Sequence, residues 1–281
     1  MAGAGSGRSQ LLSTAWTTVA EGYDRELVPR FWPWIQERLE ALQQQPLPAG
    51  PLLVCGCGPG QELVSLCKQL PGRKVRGLDL AEGMVALANQ RISAAGLRSV
   101  ASASVGDASI LADQPGTVAG ILSCFTLQQI PQPASVLANW YRALAPGGIA
   151  SVCYWPSAAN QSEPLFSRIT DPAILRQPSA TTSQQAGPDW DRDITGEAVS
   201  AGAQVLLDTY AVHDMAFDSL DSYWQIMVDC GPLHSRLLRL GARHMQEAKA
   251  RFLAEHDVTD QPIVLRPSSR ALLLRKPRSS L

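Results

Sequence analysis

No apolar run in this chain approaches the roughly 18 residues that crossing a bilayer requires. The small opening Met1-Ala2-Gly3-Ala4-Gly5-Ser6-Gly7 is not followed by the apolar stretch of a secretory leader. Excess positive charge is missing too: 24 Lys and Arg stand against 25 Asp and Glu, a net charge of -1. Nucleic-acid binders draw most of their affinity from phosphate neutralisation, so this balance argues against such a partner. The only basic cluster (Arg266, Arg270, Arg275, Lys276, Arg278) reads as a solvated tail. Metal-ligand spacing is lacking as well. Cys55-Gly-Cys57 has no second CxxC or HxxxH pair to complete a tetrahedral site, and six cysteines in 281 residues are too few for a disulfide framework. The four histidines (His213, His234, His244, His256) have no acid at informative spacing and read as surface or core. These absences predict a soluble, cytoplasmic protein with no membrane or nucleic-acid partner and no metal.

What is present is an alternation of elements. Residues 9–44 show helical periodicity through Leu27, Phe31, Trp34, Ile35, Leu39 and Leu42, divided by Pro29 and Pro33 into at least two pieces. From Pro51 onward, short apolar runs alternate with amphipathic segments. Strands are predicted at 52–55, 74–78, 101–105, 118–123 and 149–155, with helices between them. That order implies βαβ units and a parallel sheet covered on both faces. Residues 156–193, rich in Pro, Ser, Gln and Asp, read as a loop or partly ordered insertion. Val205 to Phe217 reads as a long strand or bent pair, 219–256 as helices, and Arg270 to Arg275 as a final strand.

The fold class expected is therefore α/β: a Rossmann-like doubly wound sheet, mostly parallel with an antiparallel last strand. N-terminal helices and a C-terminal helical insertion accompany it. The expected organisation is a flexible N-terminus (1–8), an N-terminal helical lid (9–48), a ligand-binding core (49–155), a substrate-side insertion with strand six (156–265), and a last strand and tail (266–281).

In such sheets ligands bind beyond the carboxyl ends of the strands. The first strand runs into Gly56-Cys57-Gly58-Pro59-Gly60-Gln61, which opens a helix, and the second ends at Asp79. Glycines at the turn let backbone approach a ligand, and a carboxylate at the neighbouring tip can accept both hydroxyls of an adenosine ribose. A dinucleotide fingerprint would need its third glycine at position 61, where this chain has Gln61. The spacing favours S-adenosylmethionine over NAD.

Residues from about 50 to 155 resemble the class I S-adenosylmethionine-dependent methyltransferase family, in its small-molecule branch of ubiquinone-biosynthesis-type relatives. The matching stretches are Leu53-Val54-Cys55-Gly56-Cys57-Gly58-Pro59-Gly60, Gly77-Leu78-Asp79-Leu80-Ala81-Glu82-Gly83-Met84, Val105-Gly106-Asp107-Ala108 and Leu144-Ala145-Pro146-Gly147-Gly148. The resemblance implies that Gly56, Cys57, Gly58 and Gly60 face the methionine part of the cofactor and that Asp79 holds the ribose. It places Leu80 and Met84 beside the adenine, with Gly106, Asp107 and Ala108 toward its exocyclic amine. Cys124, Phe125 and Gln129 line the methionine and substrate side, and Tyr23, in Ala20-Glu21-Gly22-Tyr23-Asp24, closes over the cofactor. No catalytic residue is implied, because the cofactor itself is the electrophile.

One departure stands out. The family's acid two residues before the first glycine is here Val54. A substitute acid elsewhere, weaker cofactor binding or a catalytically inactive relative would each account for it, and a NAD-type oxidoreductase remains the rival reading. Asp79 and Asp107 are also plausible cap and turn residues, and Phe125, Tyr223 and Trp224 plausible core. Trp155, Phe166, Trp190, Tyr223 and Trp224 are expected to favour an apolar or aromatic methyl acceptor.

Overall fold

The computed structural model describes residues 3–111, 116–175, 189–256 and 260–278. Two helices come first, α1 (Gly3–Glu26) and α2 (Val28–Gln43), so helix begins ahead of Ser9. Leu27 carries the only break between them. Pro29 sits in the first turn of α2, where its missing N–H has no intrahelical role, and Pro33 lies inside the helix. The periodic residues of α2 are the buried ones. Trp34, Leu39 and Leu42 are fully enclosed, each stabilising the fold by roughly 1.5–3 kcal/mol through burial.

The core alternates β1 (Leu52–Cys55), α3 (Gln61–Gln69), β2 (Val75–Asp79), α4 (Glu82–Ala94), β3 (Ala101–Val105), β4 (Val118–Cys124), α5 (Pro133–Ala143) and β5 (Leu144–Tyr154). These strands pair in parallel, Leu52 opposite Val75 and Gly120, and Ile121 opposite Ala150. Strand five starts earlier than expected because Leu144 already pairs with Val118, ahead of the Pro146-Gly147-Gly148 turn. Short helices α6 (Pro164–Arg168), α7 (Pro172–Leu175) and α8 (Gly196–Ser200) follow. The loop expected over 156–193 thus contains two helical turns, and its residues 176–188 lie outside the described ones.

The bent pair resolves into β6 (Gln204–Val212) and β7 (Met215–Phe217). The helices over 219–256 are α9 (Leu220–Asp229), α10 (His234–Leu240) and α11 (Ala242–Leu253). Two strands close the order, β8 (Ile263–Leu265), not foreseen, and β9 (Ser268–Arg275). The main sheet runs β3-β2-β1-β4-β5-β9-β6, and β7 pairs with β8 in a separate two-stranded sheet. β9 is antiparallel to both β5 and β6, which is the antiparallel last strand expected.

Alternation along β1 assigns the two faces. Leu52 and Val54 pack with α2 and α3, whereas Cys55 and Leu53 pack with Val136, Leu137 and Trp140 of α5. The basic residues near the C-terminus are not a free tail. Arg270 pairs with Asp208 at 2.8 Å, Arg266 with Asp214 at 3.0 Å, and Lys276 lies 5.5 Å from the Tyr141 ring. All six cysteines are free and buried, and no metal-binding group occurs among the described residues. No described helix is long and apolar enough to cross a membrane.

Candidate functional site

The order reverses between β1 and β4, and the carboxyl ends of these strands open into a cavity of about 1170 Å³. Helix α1 covers it and is tied down along its length, Arg8 donating to the Gln129 carbonyl at 3.4 Å. Ser13 Oγ donates to the Leu80 carbonyl at 2.9 Å, and Thr17 Oγ1 accepts from the Gly83 N–H at 3.3 Å, both on the β2–α4 connection. Trp16 Nε1 donates to Gln129 Oε1 at 2.9 Å, beyond β4. Asp24 pairs with Arg91 of α4 at 2.7 Å, and Gln61 donates to Asp24, fastening the end of α1 to the glycine turn.

The glycine turn and Asp79 form one unit. Asp79 Oδ2 accepts the Gly58 N–H at 2.9 Å and Oδ1 accepts the Ala81 N–H at 3.0 Å. A carboxylate has about four lone-pair positions, so acceptor capacity remains for a hydroxyl presented from the cavity. Burial pushes this carboxyl up, while the bonds from Ala81, Gly58 and Leu80 hold it down. Asp79 therefore steadies the entry to α4, as a cap reading would have it, and also faces the cavity. At Gly56, with φ of 70°, an added Cβ would stand 2.0 Å from Thr126 Oγ1. At Gly58, with φ of 49°, a Cβ meets nothing within 4 Å, so the backbone there lies open to a ligand.

Asp107 Oδ1 accepts the Ser109 N–H at 2.8 Å, a turn bond, and the residue still lines the cavity. Trp140 of α5 fixes the neighbouring backbone by donating to the Ala108 carbonyl at 2.7 Å. Phe125 follows β4 in the left-handed region at φ of 57°, a conformation costing a non-glycine residue about 1–2 kcal/mol. Its ring stacks on Trp155 at 4.2 Å and its carbonyl accepts from Gln128 Nε2 at 2.7 Å, which hold it in place.

Of the residues singled out from the sequence, the cavity brings together Tyr23, Gly56, Gly58, Asp79, Leu80 and Met84. Asp107, Ala108, Cys124, Phe125 and Gln129 complete the set. Three stand apart from the wall. Cys57 turns into the core beneath Gly77, Gly60 starts α3 against Ala88, and Gly106 donates its N–H to the Asp79 carbonyl. None of Trp155, Phe166, Trp190, Tyr223 and Trp224 lines the cavity. Tyr223 and Trp224 are core, and Trp155 supports Phe125 from behind. His213 does meet an acid, Glu37, at 2.8 Å, but the pair is 176 residues apart in sequence and away from the cavity.

Residues not anticipated also line it. Trp16 meets the expected Tyr23 edge to face at 5.4 Å. Arg8 of α1 and Arg239 of α10 share the wall, with Arg236 close enough that both depress its basicity after burial does. Among the described residues no carboxylate pairs with any of the three, and Arg236 Nε is buried without a hydrogen-bond partner. Glu62, in the first turn of α3, is 8% exposed and lines the same cavity. Burial, above all, raises its carboxyl to about 7, against bonding to its own backbone N–H and the attraction of Arg91.

A methyltransferase-domain family model matches residues 52–148. The chain is similar to trans-aconitate 2-methyltransferase of Paracidovorax citrulli (strain AAC00-1), 28% identical over 59% of this chain and 56% of that protein. It is also similar to the enzyme of that name from Variovorax paradoxus (strain S110), 32% identical over 40% of this chain and 42% of that one. The matched stretch thus spans about half the length of these curated relatives. A solved structure from Bacillus halodurans C-125 shares the fold, with a TM-score of 0.58 at 15% identity, covering 86% of this chain and 98% of that one. The motif order, the topology and the match over residues 52–148 agree: this stretch is similar to methyltransferase domains, and the fold around it is the one such domains share.

Proposed function

We propose that the cavity binds S-adenosylmethionine and that the chain transfers its methyl group to a small, anionic acceptor. The observation that carries this reading is the Asp79 unit: a half-buried carboxylate bonded to the glycine turn, with acceptor capacity left for a ribose. The remaining wall fits the same ligand. Leu80 and Met84 offer apolar surfaces for a flat base, Asp107 and Ala108 lie at its edge, and Gly58 admits close backbone approach. When bound, S-adenosylmethionine supplies an electrophilic methyl and leaves as S-adenosylhomocysteine.

The chain's own task is alignment and exclusion of water, worth about 7–11 kcal/mol when the attacking atom is well placed. Helix α1 acts as the lid, with Trp16 and Gln129 latched across the opening and Tyr23 packed behind them. Arg8 and Arg239 grip the acceptor, with Arg236 adding positive potential. Among the described residues the wall has no histidine. A carboxylate acceptor is ionised already and needs no base, which agrees with arginines that have no carboxylate partner among the described residues and with the acidic substrate named for the relatives. The six reduced, buried cysteines support a cytoplasmic, reducing setting.

The test is transfer of labelled methyl from S-adenosylmethionine to a panel of carboxylate-bearing and neutral acceptors. Label should pass to one or more carboxylates. The double substitution Arg8→Gln/Arg239→Gln should raise their KM at least about 10-fold, each lost charged contact being worth roughly 1.5–3 kcal/mol. Affinity for S-adenosylhomocysteine should stay as it was. Transfer confined to neutral acceptors contradicts the acceptor assignment. A protein that binds S-adenosylhomocysteine yet transfers to nothing is the inactive relative.

A further inference from the structure

Residue 54 cannot supply the acid that the amino-acid end of such a cofactor calls for. Val54 is 1% exposed and belongs to the apolar cluster that also holds Leu63 and Leu66 of α3. Other carboxylates near the glycine turn are already engaged. Asp79 accepts from Gly58 and Ala81, and Asp24 is held by Arg91 and Gln61. Arg91, the cation whose field reaches Glu62, also donates to the Pro59 carbonyl.

Glu62 is different. It stands two residues beyond Gly60, is more than nine-tenths buried, and lines the cavity together with Gly56, Gly58 and Cys124. No cation among the described residues lies within ion-pair distance of it. A carboxylate enclosed without a counter-ion is costly, and such groups persist where a ligand completes the pair.

We infer that Glu62 takes over from position 54 and clasps the α-ammonium of the bound nucleoside's amino-acid arm. This inference rests on the cofactor reading above. The groups facing Glu62 are few. Asp24 and Tyr23 approach from α1, Asp79 from β2, Arg91 from α4, Cys124 from β4, and Cys57 from the turn. Among the described residues that act on Glu62 only Arg91 is positive, and it is shared with Asp24. The arriving ammonium therefore meets a carboxyl that is partly protonated at neutral pH, and binding expels that proton.

Two nucleosides separate the arm from the rest: S-adenosylhomocysteine, and 5′-methylthioadenosine, which lacks the amino-acid group. In calorimetric titrations at pH 7, Glu62→Gln should weaken S-adenosylhomocysteine at least about 10-fold, the loss expected for one charge-assisted contact. Binding of 5′-methylthioadenosine should change less than about 2-fold on the same principle, since it makes no such contact. Comparing buffers of different ionisation heat should show proton release when wild type binds S-adenosylhomocysteine. Release should vanish in Glu62→Gln and with 5′-methylthioadenosine. A Glu62→Gln protein that melts cooperatively, yet binds S-adenosylhomocysteine as wild type does or loses both nucleosides equally, overturns the assignment. Failure of wild type to bind either nucleoside overturns the cofactor reading and this inference with it, a result distinct from the other two.

Discussion

Replacing Asp79 with alanine should lower affinity for S-adenosylhomocysteine at least about 100-fold and reduce thermal stability at the same time. Both effects come from one carboxylate with two duties. Toward the protein it accepts the Gly58 and Ala81 N–H groups at 2.9 and 3.0 Å, joining the glycine turn to the start of α4. Leaving two such donors unpaired in a half-buried site costs about 1–3 kcal/mol apiece. Toward the ligand its spare acceptor capacity takes the ribose, and loss of that charged acceptor adds about 1.5–3 kcal/mol for each hydroxyl it held. Asp79→Asn separates the duties. It keeps the shape but turns an amide NH2 toward one of the two backbone donors, so the fold should suffer less than binding. Calorimetric titration and melting of both variants check this. An Asp79→Ala protein with native affinity would mean that the ribose lies elsewhere.

The second large effect runs the other way. Without ligand, Glu62→Gln should make the protein more stable than wild type at pH 8, and no more stable at pH 4. The carboxyl of Glu62 sits near 7 in the folded chain, because of burial, against an ordinary value of 4.5. The folded state therefore binds this proton more tightly than the unfolded chain does. Below about 4.5 the group is protonated in both states and carries no penalty. As pH rises through 7 the folded state has to hold the bare carboxylate, and the gap amounts to about 3 kcal/mol above that point. Glutamine removes the penalty. Denaturant titrations at the two pH values measure it, and saturating S-adenosylhomocysteine should reverse the order at pH 8, because only wild type gains the ion pair. Equal stability of the two proteins at both pH values would contradict the burial of an uncompensated charge.

Much of the sheet was legible because its signals are local. Leu52 to Cys55, the glycine turn and Asp79 follow one another within 28 residues, and a strand–turn–helix order places the turn and the acid at adjacent strand tips. What was not legible depends on distant parts of the chain. Glu62 reads from sequence as an ordinary first-turn acid, favourable to the helix dipole. Only the cavity shows that it is enclosed and unpaired. Arg8 and Arg239 are 231 residues apart and meet because α10 packs on α1. The aromatics after β5 mislead for a related reason. Trp155 and Phe166 form a continuous stack with Phe125, and of the three only Phe125 reaches the cavity. The C-terminal basic residues looked like a tail because their partners, Asp208 and Asp214, belong to β6 and the turn that follows it.

The central claim is that the glycine turn and Asp79 enclose an adenosyl thioether nucleoside. Calorimetric titration of the purified wild-type protein with S-adenosylhomocysteine, and separately with NAD, tests it most directly. Saturable one-to-one binding of S-adenosylhomocysteine, displaced by 5′-methylthioadenosine and with no heat from NAD, is the predicted result. Saturable binding of NAD with none of S-adenosylhomocysteine would contradict it.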